Sequence, residues 1–150
     1  MQRSPFDPIH LGPITVTFSV DAEASNGSVT VARCDVAEGA GVPVAHSHDG
    51  FEETIHGLAG TVTFTLDGTP VDIGPGDTVC IRRGVVHSFL AKGGATSFLA
   101  IATPGLFGPE YFHDVAELLA AAGGGPPEPA AVAAVMARHG LTLAPQPVAS

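Results

Sequence analysis

The chain has 150 residues, 45% of them hydrophobic and only 14% charged, which excludes a disordered tail and suffices for one domain with its own core. Six basic residues against 15 acidic ones leave a net charge of −9 at pH 7. That balance repels a phosphate backbone and offers no basic face to an anionic membrane, so neither nucleic acid nor a membrane is an expected partner. Twenty-two alanines and 19 glycines dilute the apolar count, so a core without Trp has to be filled by Val, Ile, Leu and eight Phe.

In chain order, the opening MQRSPFDPIH lacks the apolar stretch of a secretory signal, and no apolar run approaches a membrane span; a cytoplasmic location is the expectation. Ile14 to Val20 alternates apolar and polar residues and predicts a half-buried strand. Asn26-Gly27 predicts a turn, and Ser28 to Val36 the next strand. A run from Gly41 to His48 and another from Glu53 to Ala59 follow, separated by a turn at Asp49-Gly50. Thr61 to Leu66 alternates again, and Asp67-Gly68 turns it into Val71-Asp72-Ile73 as a hairpin. Thr78 to Ile81, Val85 to Leu90 and Thr96 to Ala102 complete the strands. Many short strands with close turn signals predict an all-β sandwich or barrel.

The pattern changes at Pro104. Phe112, Val115, Ala116 and Leu119 recur at helical spacing, with Pro109 as start and Gly123 as stop. A second helix is predicted from about Pro129, with Val132, Val135, Met136 and His139 on one stripe and Gly140 as C-cap. Residues 144–150 are expected to fray. Neither helix is long enough to stand alone, so residues 104–150 read as an appendage packed on a barrel of residues 1–103 within the same domain. Cys34 and Cys80 form no CxxC pair and lie in apolar runs, which predicts buried free thiols.

Seven histidines outnumber Lys plus Arg. His46 and His48 are two residues apart, so on a strand both point to one face. Glu53 follows after a turn, and His87 lies in a later strand. Three neutral imidazoles and a carboxylate suit one divalent transition ion (Fe, Mn, Ni, Cu or Zn). On an octahedral ion four such ligands leave two adjacent positions for water, dioxygen or a chelating substrate. Strand parity puts Glu52 and His56 on the face opposite Glu53, Glu52 at the rim and His56 on the outer sheet surface. His113 serves as an acid or base only if its helix folds over the barrel mouth; otherwise it and His139 are surface or helix-packing residues. Phe51, Phe89 and Arg82, close to the ligands in sequence, are the candidate pocket residues, with core packing as the alternative for the two rings and a solvated rim position for Arg82.

The stretch Gly41 to Gly60 resembles the first motif of the cupin family: a Gly, His-x-His, a Glu, six residues and a Gly. Gly76 to Ala91 resembles the second, with Gly76, Gly84 and His87 in place. Ala40 stands where the first Gly usually falls, Arg82 where Pro is usual, and Ala91 where Asn is usual. The resemblance implies a double-stranded β-helix, or jelly-roll barrel, with His46, His48, Glu53 and His87 as metal ligands, and a homodimer formed by sheet extension. It further implies a metal-dependent enzyme acting on a small organic molecule, dioxygenase-like, with Glu53 also acting as a base. A non-enzymatic small-molecule-binding or sensor module, and a metal-dependent lyase or isomerase without redox chemistry, are the alternatives.

Overall fold

Period-two alternation decides which side of each strand is buried, and the buried sides here face one another across two sheets. The computed structural model describes residues 6–145. Among them the order is β1 (Ile9–Leu11), β2 (Ile14–Val20), β3 (Thr30–Val36), β4 (Gly41–His48), β5 (Glu52–Ala59), β6 (Val62–Leu66), β7 (Thr69–Ile73), β8 (Thr78–Ile81), β9 (His87–Leu90), β10 (Thr96–Thr103), α1 (Pro109–Ala121), α2 (Pro129–Arg138) and β11 (Leu141–Leu143). One sheet runs β1-β2-β3-β10-β5-β8 and the other β11-β4-β9-β6-β7, with antiparallel neighbours throughout. The expected all-β double-stranded β-helix with two appended helices is therefore the observed architecture.

Phe18 and Phe98 from the six-stranded sheet meet Phe64 and Phe89 from the other in one core. Phe98 stands edge-on to both Phe64 and Phe89, with ring centroids 5.5 and 5.4 Å away. A second cluster of Phe51, Ala102, Tyr111, Val135, Met136 and Leu141 ties the helices to the strands. Asp114 joins α1 to the end of α2 by accepting from His139 Nε2 at 2.7 Å and from Arg138 at 3.4 Å. Both helices begin with Pro in the first turn, where its missing N–H costs nothing.

The predicted hairpin at Asp67-Gly68 is present, with φ of 46° and 83° at its two residues, as a two-residue turn of matching twist demands. Two predicted strands are shorter than expected because nearby side chains and a turn capture their first backbone groups. Ser25 Oγ donates to the Val29 carbonyl oxygen and accepts from its N–H, so the second strand starts at Thr30 rather than Ser28. Asp67 Oδ1 accepts from the Val86 N–H and the Arg82 carbonyl oxygen from the Val85 N–H, so the ladder of β9 starts at His87.

Two expectations are corrected, and one strand is new. Cys34 is buried, but Cys80 is exposed: β8 is an edge strand, and Cys80 lies on its outward face. The chain end does not simply fray, because β11 pairs with β4 and the Ala144 N–H continues that pairing to the Ala45 carbonyl oxygen at 2.9 Å. The expectation for residues 146–150 lies outside the described residues. β1 was not foreseen either; it folds back on β2 through Gly12-Pro13 and begins the six-stranded sheet.

Gly41 faces Leu90 across β4 and β9, and a Cβ there meets the Phe89 carbonyl oxygen at 2.1 Å. Backbone cannot swing aside as a side-chain tip can. Gly41→Ala is therefore expected to force β4 away from β9, the two strands that carry the histidines, at a cost of about 1–3 kcal/mol. Urea unfolding measures it; a midpoint unchanged from wild type contradicts the close-approach argument.

Candidate metal centre

His46 and His48 are on β4 and His87 on β9, all in the five-stranded sheet, while Glu53 comes from β5 in the sheet opposite. The i, i+2 spacing turns both β4 histidines to the buried side, and antiparallel register sets His46 directly against His87. The register shifts between Val42 and His46, an irregularity of the kind that re-aims side chains beside sites.

The three imidazoles lie 8%, 1% and 3% exposed for His46, His48 and His87, so any charge they carried would be poorly solvated. One ring nitrogen from each lies within 4.8 Å of one from the others, and such a group can hold a metal ion. His46 Nδ1 donates to the Val44 carbonyl oxygen at 3.1 Å, and His87 Nδ1 to that of Val85 at 2.9 Å. Each bond sets the neutral tautomer that leaves Nε2 with its lone pair free, the usual outer support of a metal-bound histidine. His48 has both ring nitrogens buried without any hydrogen-bond partner. An orphaned buried nitrogen costs free energy unless something fills its place, and an ion at the triad does so for one of the two. The donor set thus fits the divalent ion expected from the sequence.

Glu53 Oε2 approaches His48 Nε2 at 3.6 Å but stands outside the mutually close histidine group. Burial alone pushes its carboxyl up to about 7. The histidines move the other way: burial first, then the charges of the other two imidazoles, holds His48 down at about 2, and burial with His46 holds His87 at about 4. Burial also lowers His46. His48 and His87 are therefore neutral donors at pH 6–7, whereas an exposed imidazole is half-protonated near 6.5.

Histidines 46 and 87 and Glu53 line a cavity of about 80 Å³, together with Phe89, Phe107 and Tyr111. Of the candidate pocket residues, Phe89 is in its wall. Phe51 is not; it is 1% exposed and stacks on His48, with centroids 4.4 Å apart and rings 19° from parallel, so it braces a ligand from behind. Arg82 is exposed and does not line the cavity. Its neighbour Arg83 instead grips the Glu52 carboxylate, with Nη2 at 2.6 Å and the backbone N–H at 2.7 Å, and holds that acid well below its usual range, at about 2. Glu52 is thus at the rim, as parity predicts, and His56 on the outer face bonds Thr78 Oγ1 at 2.7 Å. His113 is exposed on α1.

Sequence reasoning missed Tyr111, Phe107 and Phe112. Tyr111 is the chain's one tyrosine, 9% exposed, and burial with the nearby Glu53 charge raises its hydroxyl to about 12. The helical stripe was legible, but not that its start would close over the barrel. Phe107 is anchored by Thr30 Oγ1, which donates to its carbonyl oxygen at 2.8 Å across a separation of 77 residues that no local pattern reveals.

Two antiparallel sheets enclosing a buried histidine triad define a double-stranded β-helix protein with a candidate metal centre. A family model described as a cupin domain matches residues 32–102. Over 66 residues the chain is 33% identical to quercetin 2,3-dioxygenase of Bacillus subtilis; that stretch is 44% of this chain and 20% of the relative, so the chain matches about one fifth of that protein's length. A cupin protein of Bacteroides fragilis superposes with a TM-score of 0.51 at 28% identity, over 55% of this chain and 70% of that one. KdgF from Halomonas sp. shares the fold with a TM-score of 0.59 at 15% identity, over 66% and 86% of the two chains. The match over residues 32–102 and these likenesses support a small cupin-domain protein. Among the described residues no helix is long and apolar enough to cross a membrane.

Proposed function

We propose that this protein is a metal-dependent, dioxygenase-like enzyme acting on a small organic molecule with a chelating enol, diol or carboxylate. The observation that carries the reading is the buried imidazole triad, its His46 and His87 tautomers set by backbone carbonyls and its His48 nitrogens unpartnered, opening on a cavity that Glu53 shares. His46, His48 and His87 hold the ion, and Glu53 is the fourth ligand. When bound, the ion supplies Lewis acidity and a template for the substrate oxygens. Glu53, whose carboxyl burial raises to about 7 when no ion holds it, would act as the base toward a substrate hydroxyl only once its carboxylate is free of the ion. Phe89, Phe107 and Tyr111 keep bulk water from the reacting atoms. The resemblance to the quercetin dioxygenase segment places flavonols in the first substrate panel. The test is to identify the metal that co-purifies and to follow dioxygen uptake with flavonols, catechols and diketones. A fully loaded site without turnover on any of them overturns the dioxygenase reading.

Glu53 and the Tyr111 hydroxyl, two protonatable groups at one cavity, favour a second reading as a lyase or isomerase. Turnover retained with zinc and without dioxygen selects it.

The ligand role of Glu53 has its own signature. Its folded-state carboxyl is protonated below about 7, whereas His48 and His87 are already neutral there and burial shifts His46 the same way. At pH 6 metal binding is therefore expected to release a proton from Glu53 and none from His48 or His87. Calorimetry in buffers of differing ionisation enthalpy counts it. Glu53→Gln is expected to abolish the release while the histidines still bind more weakly; an unchanged proton count removes Glu53 from the ligand set.

A further inference from the structure

A second, larger cavity of about 370 Å³ lies between the appended helices and the barrel. Its walls come from α1, α2 and the strands β1, β2 and β4, with Val115, Leu118, Val132 and Met136 among them, and no charged residue lines it among the described residues. Leu11, Ile14, Val42, Tyr111 and Phe112 line both this cavity and the one at the histidines, so the two share a wall and adjoin. The metal-side cavity, at about 80 Å³, is too small for the bulk of an organic substrate. An apolar cavity of about 150 Å³ accepts a benzene ring, so the larger one has room for a fused ring system or a medium alkyl chain. Being uncharged, it rejects any ligand part that carries charge.

We propose that this second cavity holds the hydrocarbon part of an amphiphilic substrate whose chelating, oxygen-bearing head reaches the histidines past Tyr111 and Phe112. The helical appendage thereby selects the substrate class: a diol, enol or carboxylate joined to an uncharged ring or alkyl tail, rather than a sugar or a small polar acid. The head's position rests on the metal-centre reading; the tail's does not.

Two ligand series separate these parts. Zinc-loaded protein is titrated calorimetrically with 4-n-alkylcatechols from methyl to octyl, and metal-free protein with n-alkanols of matching length. Affinity is expected to rise roughly fourfold per methylene in both series until the cavity is full, with an increasingly negative heat-capacity change. Val132→Trp, which fills the cavity from α2, is expected to stop that rise several carbons earlier. Leu118→Trp does the same from α1 should the first variant fail to fold, as judged by its melting curve. A flat dependence on chain length in both series overturns the proposal, as does a slope that both Trp variants leave unchanged. If zinc does not bind but the alkanol slope and its response to Val132→Trp persist, the metal reading fails while the tail cavity stands.

Discussion

His48→Ala is expected to lose metal binding by more than about 100-fold, beyond what removal of a mere outer partner of a ligand costs. His48 is the central test because, among the described residues, neither of its nitrogens has a hydrogen-bond partner and only the Glu53 carboxylate comes near, at 3.6 Å from Nε2. Both are buried and unpartnered, while His46 and His87 each have a backbone carbonyl. A histidine kept for packing alone would satisfy at least one nitrogen. The paired expectation concerns stability. Metal at 100 times its dissociation constant stabilises the native state by about 2.7 kcal/mol, so the melting temperature of the wild-type protein rises on metal addition and that of His48→Ala does not. Without metal the variant is spared the penalty of two orphaned polar atoms, which offsets part of the cavity left under Phe51. Metal analysis after dialysis and melting curves with and without added zinc measure both effects. Equal metal content in the two proteins ends the triad reading.

Phe98→Ala is expected to lower stability by about 3–5 kcal/mol, a large share of the 5–15 kcal/mol that holds a typical domain together. Phe98 is 2% exposed on β10, between β3 and β5 in the middle of the six-stranded sheet, and it stands edge-on to Phe64 and Phe89 of the opposite sheet. Its ring spaces the two sheets, and the sheets carry different halves of the site: histidines on one, Glu53 on the other. Loss of the ring is therefore expected to weaken metal binding as well as folding. Denaturant melts give the first effect and metal titration of the folded fraction the second. Phe98→Leu, which keeps most of the volume, is expected to lose clearly less; equal losses in both variants contradict the spacing role.

The histidine pair was legible because its information is local. Residues two apart on a strand share a face whatever the rest of the chain does, and the same parity assigned Glu52 and His56 to the other face. The hairpin at Asp67-Gly68 was legible for the same reason, since the required φ values favour those residue types. Other features were not local. β1 and β11 have three residues each, too few to show a period, and they form only because β2 and β4 offer edges to pair with. Cys80 sits in an apolar run like a buried residue, but β8 ends its sheet and leaves that face exposed. Phe51, Phe89 and Arg82 were equally near the ligands in sequence. Only packing put Phe89 in the wall, Phe51 behind His48 and Arg82 outside, with Arg83 taking the Glu52 carboxylate.

By itself, then, the order of residues determined an all-β barrel with a helical appendage, and a cluster of imidazoles and a carboxylate suited to one ion. These follow from periodicities of two and 3.6 residues and from donor chemistry, which act within a few positions along the chain. The tertiary structure decided that His87 lies opposite His46, that Glu53 faces the triad from the other sheet, and that α1 brings Tyr111 and Phe112 between the metal side and a second apolar cavity. Those placements depend on the register between strands far apart in sequence and on which side of the barrel the helices bury. They minimise exposed apolar area over the whole molecule, a quantity no short segment encodes.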